Sequence, residues 1–238
     1  MCSARPSHRV DARSQLIARF KRVRVADVVD ALDQFGYHDS TLVSRDIRPL
    51  YPKAKLAGFA VTVRTRCAQA EIPSMTPEEY NRFAEEWYRL RANYDLFLNR
   101  ADPGAVIVVE AAHSLDVGFW GSTVALVAKA KGVEGVVTDG GVRDTGEIEK
   151  IDFPTFCRFH GRTEVVGRLE FGPEDVNVPV VVGSVTVRPG DVVVGDYDGA
   201  VVVPWEIAEM VLERAEKQPD ADRASQRPYL EKLELPLW

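Results

Sequence analysis

Apolar and polar positions recur along this chain with two different periods, and the changes of period mark its elements. In VADVVDALDQFG, Val25, Val28, Val29 and Leu32 fall at the spacing of one helix face, and Gly36 supplies a stop. A loop with Pro49 and Pro52 leads into residues 56–66, where Phe59, Val61 and Val63 alternate with Ala60, Thr62 and Arg64 as in a strand. Thr76-Pro77-Glu78-Glu79 opens a helix: Thr76 can cap the first amides, Pro77 suits the first helical position and Glu79 closes a capping box. Tyr80, Phe83, Trp87, Leu90, Tyr94 and Phe97 then share one face of a helix running to about residue 98. Packing on the core or on another subunit is the first reading of that stripe, and a lid over a substrate is the second.

From residue 105 the order is strand (105–109), helix (123–131, ended by Gly132) and strand (133–138), a βαβ-like unit whose strand directions the pattern leaves open. Beyond Phe153 the chain turns β-rich, with valine runs at 178–182, 192–194 and 200–203. Tyr197-Asp198-Gly199 reads as a hairpin turn, with glycine where positive φ is needed. Pro204-Trp205-Glu206 begins a last helix to about residue 217. Residues 218–238, with Pro219, Pro228 and Pro236, read as a loosely held extension. There is no internal repeat and no low-complexity tract.

Composition narrows the class. The chain has 238 residues, 45% apolar and 28% charged, enough for one well-filled core. A net charge of -6 repels phosphate backbones, so nucleic acid is not an expected partner. Cys2, Cys67 and Cys157 form no CxxC pair and are odd in number, which favours a reducing, cytoplasmic compartment. No apolar run approaches a membrane span, so no membrane association is expected. The first thirteen residues carry Arg5, Arg9 and Arg13 but no apolar core of a signal, which leaves a frayed terminus or a transit peptide.

Two segments carry candidate chemistry. Phe119-Trp120-Gly121-Ser122-Thr123-Val124-Ala125 sets a glycine and two hydroxyls where a helix begins, and free amides at a helix start bind small anions. The plainer reading is Ser122 as an N-cap. Thr138-Asp139-Gly140-Gly141-Val142-Arg143-Asp144-Thr145-Gly146-Glu147 follows an apolar strand, at the end where α/β sheets hold ligands. Arg143 offers a planar fork for a carboxylate. Asp144 and Glu147, three apart, can present hard oxygen ligands to a magnesium-type ion. The plainer reading has Asp144 capping a short helix over 145–150, with Arg143 and Glu147 as surface charges. His113 is a weaker candidate base, and His8, His38 and His160 show no metal-ligand spacing. No GxSxG, P-loop or GxGxxG is present.

Together, Gly121-Ser122-Thr123-Val124-Ala125 and Gly132-Val133-Glu134-Gly135-Val136-Val137-Thr138-Asp139-Gly140-Gly141-Val142-Arg143-Asp144 resemble the heart of the RraA-like family. The likeness continues through Leu56-Ala57-Gly58-Phe59-Ala60-Val61-Thr62-Val63, Asn177-Val178-Pro179-Val180, Val187-Arg188-Pro189-Gly190-Asp191 and Asp196-Tyr197-Asp198-Gly199. It thus covers roughly residues 25 to 217. That family includes the class II pyruvate aldolases acting on 4-hydroxy-4-methyl-2-oxoglutarate and 4-carboxy-4-hydroxy-2-oxoadipate.

The resemblance implies an α/β fold, a β/β/α swivelling-domain layer sandwich with an inserted helix and a C-terminal helix. It divides the chain into an arm (1–24), an RraA-like domain (25–217) with a helical insertion at about 72–100, and a C-terminal extension (218–238). It implies metal-dependent retro-aldol cleavage of a 4-hydroxy-2-oxo acid to pyruvate, with oxaloacetate decarboxylation as a side activity. By the same resemblance Arg143, Asp144 and Glu147 are catalytic, and Gly121, Ser122, Thr123, Val124 and Arg143 bind the oxo acid. Asp144 would ligate Mg2+ or Mn2+, largely through its water shell. A homotrimer or hexamer is implied, with sites between subunits completed by a neighbour's acid, for which Glu213 and Glu216 are candidates. Many catalytic relatives carry an acid where Ser122 stands. Other relatives are non-catalytic regulators of a ribonuclease or helicase, and this is the alternative reading.

Overall fold

The computed structural model describes residues 7–69, 71–111 and 116–236, with side chains from residue 12 onward. Cys2, Arg5, His113 and the side chains of His8 and Arg9 lie outside the described residues.

A seven-stranded sheet organises the molecule. Its strands are β1 (Arg48–Pro49), β2 (Leu56–Arg64), β3 (Ala105–Glu110), β5 (Gly135–Thr138), β7 (Thr155–Cys157), β11 (Val192–Asp196) and β12 (Gly199–Val203). The spatial order is β1-β7-β5-β3-β2-β11-β12. The pairs β2–β3, β3–β5 and β5–β7 are parallel, which settles the direction that the sequence pattern left open. The hairpin β11–β12 adds two antiparallel strands beside β2. Asp196 faces Gly199 across the Tyr197-Asp198 turn, and Gly199 has φ 137. Parallel strands joined by crossovers are covered on both faces and become apolar throughout. This is why β2 is buried along nearly its whole length, and not on one face only as its alternation suggests.

The two faces carry different covers. Leu56, Ala60, Val106, Val108, Val137, Val193 and Val202 meet a hairpin of β9 (Val180–Val182) and β10 (Val185–Val187). The opposite face is covered by helices in two clusters. Val192, Val194, Val201 and Val203 pack with α1 (Ser7–Phe20), α2 (Val25–Gln34) and α6 (Ala208–Ala215). Val61, Val63, Ile107, Val109 and Val136 pack with α3 (Pro77–Leu90), α4 (Ser122–Ala130), α5 (Thr145–Lys150) and an aromatic group including Trp87, Phe97, Phe119, Trp120 and Phe153. Hairpin, sheet and helices make the β/β/α three-layer sandwich.

Three elements differ from the sequence reading. The arm is helical: α1 buries Leu16, Ile17 and Phe20 against the sheet. The aromatic helix is shorter than its stripe. α3 is capped as expected, with Thr76 Oγ1 accepting from the Glu79 amide (3.3 Å) and Glu79 accepting from the Thr76 amide (2.7 Å). It nevertheless ends at Leu90, which is 56% exposed. The Phe171 amide takes the Arg91 carbonyl, and the Asn93 side chain accepts from the Asp95 amide, so the chain turns and re-enters as a single helical turn, Asp95–Leu98, that inserts Phe97 into the core. The proline-containing tail is also helical, α7 (Gln218–Lys232). Pro219 sits in its first turn, Leu230 is buried and Asp222 is paired with Arg24.

Candidate functional site

A second, three-stranded parallel sheet brings the two chemistry-bearing segments together. It consists of β4 (Gly118–Trp120), β6 (Gly141–Val142) and β8 (Phe159–His160). Trp120 pairs with Val142, so the residues that follow each strand, Gly121 and Arg143, emerge side by side. The Arg143 amide donates to the Trp120 carbonyl at 2.8 Å. Two glycines make the approach possible. A Cβ at Gly118 would stand 2.7 Å from Arg143 Cβ, and one at Gly121 would stand 2.9 Å from Asp144 Oδ2 and 3.4 Å from Arg143 Nε.

α4 begins at this junction. Gly121 is the residue ahead of the helix and Ser122 is its first helical residue, so Ser122 is not the N-cap. With no side chain at the cap position, the first amide finds its acceptor in the other segment: both the amide and the hydroxyl of Ser122 donate to Asp144 Oδ2, at 3.1 and 3.2 Å. Asp144 does precede α5, as the plainer reading has it, but its carboxylate does not cap that helix. Its backbone is left-handed, φ 54 and ψ 37, which swings the side chain away from α5 and onto the start of α4.

The remaining groups face outward. Asp144 Oδ1 and the amides of Thr123 and Val124 have no hydrogen-bond partner among the described residues. Arg143 Nε is 3.8 Å from Asp144 Oδ2, and the two side chains are 37% and 39% exposed. A guanidinium, two open helix-start amides and a half-used carboxylate thus share one surface, an arrangement suited to a small carboxylate. Glu147, in the first turn of α5, is exposed and unpaired among the described residues.

The donor set limits what metal this surface can take. Among the described residues no three His, Cys, Asp or Glu side chains gather into a metal-binding group. Asp144 Oδ1 is one open hard oxygen donor, with Glu147 exposed three residues on, which fits a magnesium-type ion that keeps most of its water and does not fit a fully protein-ligated ion. Neither Glu213 nor Glu216 belongs to this part of the chain. They lie exposed on and just after α6, the helix that packs with α1 and α2, and Glu216 accepts from Arg19 at 2.7 and 2.9 Å. A separate cleft of about 270 Å³, lined by Glu110, Asp139, Arg158 and Ser184, shares no residue with the site. Its two acids accept the backbone amides of Val181 and Ala111.

The sequence reading passed over one group built around Glu164. Gly118, which packs on Arg143, donates its amide to the Thr163 carbonyl at 2.9 Å, and Glu164 is the next residue along the chain. Glu164 accepts from the phenols of Tyr80 and Tyr88 on α3, the latter at 3.2 Å. No local motif marks Glu164, and the two tyrosines appear in sequence only as core-facing stripe or as polar positions between its members.

The RraA-like family model, described as Aldolase/RraA, matches residues 25–202. The chain belongs to the RraA-like family. A protein of Halalkalibacterium halodurans named "Putative 4-hydroxy-4-methyl-2-oxoglutarate aldolase" is 31% identical over 232 residues, covering 93% of this chain and 97% of its own. A protein of the same name from Deinococcus radiodurans is 40% identical over 104 residues, 43% of this chain and 62% of its own. Among solved structures, Streptomyces coelicolor RraAS2, described as an unusual member of the RNase ES inhibitor RraA protein family, superposes with a TM-score of 0.73. It is 27% identical and covers 90% of this chain and 98% of its own.

Proposed function

We propose that this RraA-like protein is a carbon–carbon lyase of the class II pyruvate aldolase type, cleaving a 4-hydroxy-2-oxo acid to pyruvate and a carbonyl product, with oxaloacetate decarboxylation as a side activity. The observation that carries this reading is the junction of Arg143 and Asp144 with the open start of α4, supported by the aldolase names of the relatives. The Arg143 guanidinium and the Thr123 and Val124 amides hold the oxo acid carboxylate. A base removes the C4 hydroxyl proton, through a water on Asp144 Oδ1. The C3–C4 bond then breaks, its electron pair passes to C3 and on to the C2 oxygen, and the carbonyl product leaves. Arg143 faces the enolate charge as it forms, and protonation at C3 gives pyruvate. Mg2+ or Mn2+, held at Asp144 with Glu147 close by, would supply Lewis-acid charge. Ser122 anchors Asp144 through its amide and hydroxyl, but without the acid that many catalytic relatives carry there the organisation of metal-bound water is weakened or the substrate differs. The protein acts as a homotrimer or hexamer on a small oxo acid in the cytoplasm, a location that the free Cys67 and Cys157 favour.

A panel of 4-hydroxy-2-oxo acids plus oxaloacetate, scored by pyruvate release, tests this reading. Wild type with Mg2+ or Mn2+ is expected to release pyruvate well above the metal-only background, and EDTA or Asp144→Ala to remove at least nine-tenths of that rate. The likeness to RraAS2, together with Ser122, favours a regulator of a ribonuclease or helicase as the second reading. Equal background rates for wild type and Asp144→Ala on every compound, with specific capture of such a partner, would establish that alternative.

A further inference from the structure

We propose that Tyr94 is a positioning residue for this site: its phenol holds the end of β4 and so sets where the open amides of α4 face the oxo acid carboxylate. The inference rests on the aldolase reading and adds to it the part played by the segment that follows α3.

The passage from β4 into α4 is held group by group. The Tyr94 phenol donates to the Phe119 carbonyl, and the Arg143 amide donates to the Trp120 carbonyl at 2.8 Å. The Ala125 amide donates to the Gly121 carbonyl at 3.0 Å, and the Ser122 amide donates to Asp144 Oδ2 at 3.1 Å. Arg143, Asp144 and Ala125 belong to the site or to α4 itself. Tyr94 comes from another part of the chain, 25 positions before Phe119. β4 is an edge strand, with β6 as its one neighbour in that sheet, so the sheet fixes less of its backbone than it would in an inner strand.

Tyr94 is itself firmly placed. Its ring stacks on Phe119 at 5.1 Å and meets Phe97 at 5.5 Å and Phe171 at 5.9 Å. The turn that carries it is closed by the Asn93 side chain, which accepts from the Asp95 amide at 3.0 Å. Burial pushes the phenol above the usual tyrosine range, with Tyr88 adding to the rise and the Arg143 charge opposing it, so near neutral pH the phenol is protonated and donating. A carbonyl that loses its donor inside a protein turns toward another or admits water. Such a turn at Phe119 passes to Trp120, whose carbonyl holds the Arg143 amide, and to Gly121 at the head of α4. The oxo acid carboxylate takes no part in the bond changes, so its binding is shared by ground and transition states. Its loss therefore shows in KM more than in kcat.

The test compares kcat and KM of full-length wild type, Tyr94→Phe and Trp87→Phe, with Mg2+ or Mn2+, on oxaloacetate and on the fastest 4-hydroxy-2-oxo acid of the panel. Trp87→Phe is the control: it too removes an aromatic donor from a backbone carbonyl, that of Leu169 at 3.0 Å, but outside β4. Tyr94→Phe is expected to raise KM at least about fivefold with kcat changed less than about twofold, while Trp87→Phe keeps KM within about twofold of wild type. Hydrogen exchange over residues 119–124 is expected to quicken at least about threefold in Tyr94→Phe and not in Trp87→Phe. Far-ultraviolet dichroism reports whether each variant is folded. An unchanged KM or unchanged exchange in folded Tyr94→Phe, or the same rise in Trp87→Phe, overturns this inference and leaves the aldolase reading standing. If Tyr94→Phe does not fold, Asn93→Ala, which loosens the turn carrying Tyr94, decides: a KM raised at least about twofold supports the inference and an unchanged KM overturns it. Wild type that releases no pyruvate from any compound overturns both.

Discussion

Asp144 shows what one residue's backbone does at this site. Left-handed φ costs a non-glycine residue of order 1–2 kcal/mol, and aspartate tolerates it better than most. In return its Oδ2 reaches the amide and hydroxyl of Ser122 across two chain segments, while Oδ1 stays open. Gly121 is the complementary residue. Its own backbone is ordinary extended chain, φ -134, so alanine meets no conformational penalty there, but its Cβ would press on Asp144 Oδ2. Gly121→Ala is therefore expected to lower kcat/KM for pyruvate release by about tenfold or more, ~1.4 kcal/mol of transition-state stabilisation. Stability should change by less than about 1 kcal/mol, because the carboxylate that must move is half exposed. Steady-state kinetics and urea unfolding on the same preparation check both halves.

At the scale of elements, capping and packing had unequal say. The capping box of α3 is a local device, readable from Thr76 and Glu79, and it starts the helix where the sequence places it. The end of α3 is not local. The bridge between Ala92 and Phe171 and the Asn93 side chain break the helix so that Tyr94 and Phe97 reach the core from a separate turn. α1 is the opposite case. Its polar start hides an apolar end, and only docking against α2, α6 and the sheet buries Phe20 completely. Phe20→Ala is expected to cost about 3–5 kcal/mol, as for other fully buried aromatic residues. A urea midpoint equal to wild type would show that residues 7–20 contribute nothing to the fold.

At the scale of the molecule, the site stands open on the single chain. Its floor is α4, and the same helix exposes Leu126 (52%) and Val127 (41%) within two turns of the site. Exposed apolar residues beside an open polar site suit a face closed by another copy. Sedimentation equilibrium is expected to give three or six times the 26.5 kDa chain mass, and Leu126→Lys to shift the protein toward the monomer with loss of activity. A wild-type monomer at micromolar concentration would contradict this. Among the described residues no helix is long and apolar enough to cross a membrane.

The sequence by itself determined what depends on near neighbours along the chain. The capping of α3, the tight turn before Gly199, the valine strands and the glycines flanking Arg-Asp all follow from local sterics and periodicity. The pairing of Gly121–Val124 with Arg143-Asp144 was legible through family resemblance, because the motif spans both segments. Tertiary structure alone decided strand direction, the burial of both faces of β2 and the helical state of residues 7–20 and 218–232. It also decided the turning of Asp144 toward Ser122, and the meeting of Tyr80 and Tyr88 with Glu164. Those contacts join residues 22 to 84 positions apart, so each forms only after the sheet has fixed the distance between its partners, and no window of sequence contains both sides of the interaction.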